Sequence, residues 1–350
     1  MNIVGLLLAQ ALAATGPVHT GQQSEMTQVI LHAPQAPDAP HALVRSAASP
    51  RLETAQALPP KSEPERQRIG GQFGDGAFRH RTDTRPYKLF VPATQAGGRR
   101  PLVVMLHGCT QTPEDFAAGT HMNELAARHG FLVLYPAQTR DANVTRCWNW
   151  FKREDQGREQ GEAALIAALT RDVMARHDID PRRVFVAGVS AGGAMAAILG
   201  ANYPELFAAV GIHSGVPAGA AHDLPSAMAV MLGKSSASKE GLAASGPAVP
   251  TIVFHGDQDK VVHPRNGERV VDAARRGATA GGAVEEGRVP GGHAYTRTVY
   301  RDANGRVVVE SWVVHGAGHA WSGGSEAGSY TDPRGPNASE AMVRFFLETR

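Results

Sequence analysis

The stretch Gly188-Val189-Ser190-Ala191-Gly192 follows an apolar run, Val184-Phe185-Val186-Ala187, and precedes the small residues Gly193-Ala194-Met195. A serine hydroxyl becomes a useful nucleophile only when it is held exposed beside a base, and a sharp strand-to-helix turn does this where the flanking positions lack bulk. Ser190 is therefore the candidate nucleophile. With 39 glycines in 350 residues the pentapeptide alone reads equally well as an ordinary tight turn, so the weight falls on the residues C-terminal to it.

Acid and then histidine come later in the chain, in the order this kind of site requires. Thr251-Ile252-Val253-Phe254-His255-Gly256 reads as a short strand whose following loop carries Asp257 and Asp259. Asp259 is preferred as the acid: its distance past the strand end lets the carboxylate turn back toward the sheet, while Val261 and Val262 anchor the loop. Either aspartate could instead cap the helix beginning near Pro264. After the strand Ser311-Trp312-Val313-Val314, a glycine-rich loop carries His315 and His319. His319 lies farther along the loop and is the candidate base, whereas His315 sits at the strand end and suits packing. Of the other histidines, His255 and His293 are read as structural or rim residues.

Acyl transfer also needs donors aimed at a developing oxyanion. One is expected from the backbone N–H after the nucleophile, Ala191, and the other from the loop after an early strand, where Leu106-His107-Gly108-Cys109-Thr110-Gln111 points to Cys109. An ordinary turn would also explain His107-Gly108.

The elements that must position these groups alternate. Strands are expected at 86–91, 101–106, 131–135, 183–187, 208–213, 251–255, 296–301 and 306–314, and helices at 113–129, 160–177, 191–202, 265–278 and 337–348. Such alternation predicts a mostly parallel, doubly wound sheet, with ligands outside the carboxyl ends of the strands. Asn304-Gly305 predicts a β-hairpin between the last two strands.

With Cys147-Trp148-Asn149-Trp150-Phe151 and Gly318-His319-Ala320-Trp321 added to the segments above, the chain from about residue 71 resembles the catalytic domain of the polyhydroxybutyrate depolymerase family. Feruloyl and acetylxylan esterases look similar in several of the same segments. The resemblance implies an α/β-hydrolase fold over 71–350, carboxylic ester hydrolysis without a cofactor, and the roles of nucleophile, acid, base and oxyanion donor for Ser190, Asp259, His319 and Cys109. It also favours a disulfide between Cys109 and Cys147, the only cysteines; in a reducing compartment they would remain two thiols. Trp148, Trp150, Phe151 and Trp321 are candidates for contact with a methyl-bearing polyester chain, although most aromatics of such a chain belong to its core. Pro217 to Pro250 reads as a covering element or a surface insertion. No appended binding module is expected after the last helix, which favours soluble oligomers, amorphous polymer or short-chain esters over crystalline granules.

Lys plus Arg number 35 against 33 Asp plus Glu, and no basic run interleaves with aromatics, so nucleic acid is excluded as an expected partner. Neither paired zinc-ligand spacing nor a glycine-rich phosphate loop occurs, so no metal is expected. Residues 1–70 read as a lead and a Pro/Ala-rich disordered linker. Ile3 to Ala14 is an apolar run with small residues suited to a signal peptidase but without preceding Lys or Arg, leaving extracellular or periplasmic and cytoplasmic placement open. It is too short to span a bilayer, and no other segment suits a span. Oligomeric state is not legible. A serine esterase acting on poly(3-hydroxybutyrate) or its oligomers is the expectation; the alternatives are a feruloyl, acetylxylan or general short-chain esterase, and a catalytically silent fold used for binding.

Overall fold

The computed structural model describes residues 70–93, 97–234, 249–276, 278–279 and 281–349. The apolar run 3–14, the linker and part of the stretch 217–250 lie outside the described residues. In chain order the strands are β1 Gly71–His80, β2 Asp83–Pro92, β3 Arg100–Leu106, β4 Leu132–Pro136, β5 Ile179–Val189, β6 Ala209–His213, β7 Thr251–Gly256, β8 Ala283–Arg288, β9 Ala294–Arg301, β10 Val307–Val314, β11 Trp321–Ser322 and β12 Thr331–Asp332. The α-helices are α1 Pro113–Thr120, α2 Met122–His129, α3 Gly161–Arg176, α4 Ala191–Asn202, α5 Leu224–Met231, α6 Arg265–Ala274 and α7 Ala338–Glu348.

Among the described residues β1 to β10 form one sheet in the order β1-β2-β4-β3-β5-β6-β7-β10-β9-β8. Its centre, from β4 to β10, is parallel, and antiparallel strands extend it on both flanks. Strands buried on both faces are predominantly apolar, and every residue of β4, β6 and β7 is buried, the polar His213, Thr251 and His255 among them. One face packs against α3, α4 and α5 through Leu165, Ile198 and Val230. The other packs against α1, α2 and α7 through Phe116, Leu125 and Phe346. This is the α/β-hydrolase arrangement, and the hairpin expected at Asn304-Gly305 is the β9–β10 pair.

Several elements depart from expectation. The helix expected over 113–129 is two helices, because His121 adopts a left-handed conformation (φ 54°) that ends α1 and begins α2. The helix expected to reach 278 stops at Ala274. The edge strands β1 and β8 have no counterpart among the expected elements: they are largely solvent-facing, so they lack the apolar run or alternation that marks a strand. The short helix α5 lies within the stretch read as a covering element.

Candidate active site

Ser190 sits between β5 and α4 with φ 57° and ψ −120°. A non-glycine residue in this region carries strain of about 1–3 kcal/mol, held only where the surroundings over-determine it. Those surroundings are visible. The Ser190 N–H donates to His213 O at 2.9 Å and the Ser190 carbonyl accepts from Ala194 N–H at 2.9 Å, tying the turn to β6 and to the first turn of α4. The flanking glycines are obligatory: a Cβ on Gly188 would lie 2.4 Å from the Gly192 carbonyl, and one on Gly192 would lie 2.0 Å from Leu106 O.

Because β5, β6, β7 and β10 are neighbours running parallel, their carboxyl ends emerge along one edge. Ser190 follows β5, Asp259 follows β7 and His319 follows β10. The His319 Nδ1–H donates to Asp259 Oδ2 at 2.7 Å, and both side chains are buried. The other carboxylate oxygen accepts from the backbone N–H groups of Val261 (2.9 Å) and Val262 (2.8 Å). Burial alone would raise the Asp259 pKa; the His319 hydrogen bond, the His319 and His255 charges and the Val262 N–H outweigh it and hold the carboxyl below its ordinary value. The loops are stitched together by Asp257 N–H to Val314 O (3.1 Å) and Gln258 N–H to Ala317 O (3.0 Å).

Asp257 faces elsewhere, accepting from His315 Nδ1 at 3.0 Å and Gly316 N–H at 2.7 Å. His293 pairs with Asp332 at 2.8 Å. His255 is buried, donates from Nε2 to Val262 O at 2.8 Å, and lies 3.5 Å from Asp259 Oδ2.

Cys109 and Cys147 are joined by a disulfide, which closes the loop after β3 onto the segment carrying the three aromatics. Cys109, Ser190 and Ala191 all line one small apolar cavity, with Trp150, Phe151 and Met231 among its other walls. The Ala191 N–H belongs to the first turn of α4 and so has no partner within that helix. The cavity measures about 20 Å³, room for little more than one water-sized group.

Trp148 and Trp321, expected as candidates for substrate contact, are buried and do not line the cavity. An indole N–H needs a buried partner, and both find one inside the protein. Trp148 is fully buried and donates to His107 O at 3.1 Å, with its ring 5.6 Å from the imidazole of His107. Trp321 donates to Ser339 Oγ at 3.0 Å and stacks on His213 at 5.0 Å. Trp150 and Phe151, packed edge to face at 5.7 Å, are the aromatics of this segment that reach the cavity.

Other polar groups behind the site carry no sequence signal, because their roles depend on partners far away in the chain. His213 accepts from Ser322 N–H at 3.0 Å, and burial, aided by the His255 and His319 charges, lowers its pKa to about 3. Glu162 accepts from Asn149 N–H (2.7 Å), Asn149 Nδ2 (2.9 Å) and Gln138 Nε2, bracing the segment after Cys147.

Among the described residues, no cluster of three or more His, Cys, Asp or Glu could hold a metal ion, and no helix is long and apolar enough to cross a membrane.

A family model described as "Esterase PHB depolymerase" matches residues 85–286. Poly(3-hydroxyalkanoate) depolymerase C of Paucimonas lemoignei is 35% identical over 228 residues, covering 63% of this chain and 54% of the relative. Poly(3-hydroxybutyrate) depolymerase of Ralstonia pickettii is 30% identical over 257 residues, covering 68% and 52%. The chain thus spans about half the length of these curated relatives. Among solved structures, an acetyl xylan esterase from Aspergillus awamori superposes with a TM-score of 0.61 at 21% identity, over 75% of this chain and 94% of that one, a likeness of fold.

Proposed function

The chain belongs to the PHB depolymerase family of esterases, and from that premise we propose that it is a serine carboxylesterase hydrolysing poly(3-hydroxybutyrate) or its soluble oligomers. Ser190 Oγ attacks the ester carbonyl carbon while its proton passes to His319 Nε2. The carbonyl oxygen becomes an oxyanion facing the Cys109 and Ala191 N–H groups. Collapse of the tetrahedral intermediate breaks the ester C–O bond, and the alcohol leaves with the proton held by His319. Water then attacks the acyl-enzyme with His319 as base, releasing the carboxylic acid and restoring Ser190. Asp259 stays ionised throughout, holding the tautomer in which His319 Nδ1 bears hydrogen.

The observation that carries this reading is the buried His319–Asp259 hydrogen bond on the sheet edge where the strained Ser190 turn meets an apolar cavity. The disulfide suits an oxidising compartment, in keeping with an extracellular or periplasmic enzyme. A second reading, as an acetyl, feruloyl or general short-chain esterase, uses the same residues, since the apolar cavity beside Ser190 takes an acyl group without naming it.

Release of 3-hydroxybutyrate from soluble trimer and from amorphous polymer, measured beside acetylated xylo-oligosaccharide and a feruloyl ester, tests both. We expect turnover of the hydroxybutyrate esters that falls at least about 10⁴-fold in Ser190→Ala. Turnover of acetylated sugar or feruloyl ester alone selects the second reading, and activity that survives the substitution overturns the serine mechanism.

A further inference from the structure

We propose that His107 and Gln111 are positioning residues that grip the two polar groups of Gly108 and thereby aim the Cys109 N–H at the ester oxygen above Ser190. The assignment rests on the serine-esterase reading and deepens it.

The imidazole of His107 is buried at the end of β3. Its Nδ1 lies 2.8 Å from Gly108 O. A carbonyl only accepts, so Nδ1 bears the hydrogen. Nε2 accordingly accepts, and the Gln138 N–H donates to it at 3.1 Å. Both ring nitrogens are thus committed and the ring cannot turn without losing a buried hydrogen bond. Burial, with a smaller push from the Arg146 charge, outweighs the pull of the Gly108 carbonyl and lowers the pKa to about 4, so the ring is neutral near pH 7.

Gln111 holds the other side. Its Oε1 accepts from the Gly108 N–H at 2.9 Å, and its Nε2 donates to Asp115 Oδ2 at 2.9 Å and Ser329 O at 3.0 Å, which determines how the amide faces. Gly108 neighbours Ser190: a Cβ there would lie 3.1 Å from Gln111 Oε1 and 3.6 Å, ordinary contact, from Ser190 Cβ.

In a trans peptide the C=O and the following N–H point in opposite directions within one plane, and the described residues include no cis bond. Gly108 O accepts from His107 Nδ1 at 2.8 Å and, at a longer 3.3 Å, from the Gln111 N–H, and fixing it there fixes the direction of the Cys109 N–H. An oxyanion donor acts by being aimed before the charge develops, so the expected cost of losing the grip appears in kcat.

Two substitutions separate this role from packing. His107→Gln places a polar atom near the former Nε2 and keeps an acceptor for Gln138, but loses the δ donor to Gly108 O. His107→Asn keeps a δ N–H donor and loses the ε acceptor. With p-nitrophenyl acetate as probe, we expect His107→Gln to lower kcat by about 10- to 100-fold with KM within about threefold, and His107→Asn to recover most of that loss. Gln111→Met is expected to lower kcat in the same manner. Equal kcat for the two His107 variants, or a loss in kcat matched by a loss in melting temperature, assigns these residues to packing and overturns the proposal. A wild type without Ser190-dependent turnover instead overturns the serine-esterase reading and this assignment with it.

Discussion

Asp257 and Asp259 stand two residues apart on one loop yet face different histidines, because backbone N–H groups from Val261 and Val262 turn only the second carboxylate inward. Asp259 meets His319 in a buried site, whereas Asp257 meets the half-exposed His315. Replacing Asp259 by Asn keeps the shape but puts an amide N–H against Nδ1, which selects the wrong tautomer; kcat should fall by about 10³- to 10⁴-fold with little change in KM. Asp257→Asn loosens the hold on Gly316 N–H without touching that dyad, and its effect on kcat should stay within about tenfold. Steady-state kinetics of the two variants check this, and equal losses would transfer the acid role away from Asp259. His319 and Asp259 are both legible as candidates in the chain, whereas the closeness of His255 to the same carboxylate arises only from the way β7 and its loop pack.

At the scale of elements, the first turn of α3 holds the disulfide-bearing segment through Glu162. Burial, then the Asp155 charge, raises the Glu162 pKa to about 7 from an ordinary 4.5, against the opposing effects of Arg85, Gln138 and the Asn149 N–H. The folded protein therefore binds a proton that the unfolded chain releases between these values. The stability this group contributes is present below about pH 4.5 and lost as pH rises to about 7, a loss of about 3 kcal/mol at roughly 1.4 kcal/mol per pKa unit. His107 and His213, lowered to about 4 and about 3, act in the opposite sense, their contribution being lost as pH falls below about 6.5. Glu162→Gln removes only the carboxyl's share. Denaturant unfolding of variant and wild type at several pH values should show the stability difference moving in the variant's favour from pH 4.5 to 7, and a constant difference would show that Glu162 ionises as it does in the unfolded chain.

At the scale of the whole molecule, the Cys109–Cys147 bridge spans a sequence separation of 38 and joins the loop after β3 to the segment that begins Cys147-Trp148. Chain-entropy reasoning gives such a closure about 4 kcal/mol, which in a domain of this size corresponds to a fall in melting temperature of roughly 10 °C on reduction. Melting curves with and without a reductant check the value, and coincident curves would mean that the bridge adds nothing to stability. The chain alone determined the parallel centre of the sheet, the Ser190 turn and the β9–β10 hairpin, since each arises from neighbours a few residues apart: continuous apolar runs, the missing Cβ atoms of Gly188 and Gly192, and the left-handed Gly305. Only the tertiary structure decided that Trp148 and Trp321 are core rather than cavity wall, that His121 breaks a helix, and that Gln111 meets Ser329 across 218 residues of sequence. A local backbone conformation is dictated by the sterics of adjacent residues, whereas the partner of a buried polar group is whatever the packed layers bring within hydrogen-bond reach, and that depends on the burial and register of the whole sheet at once.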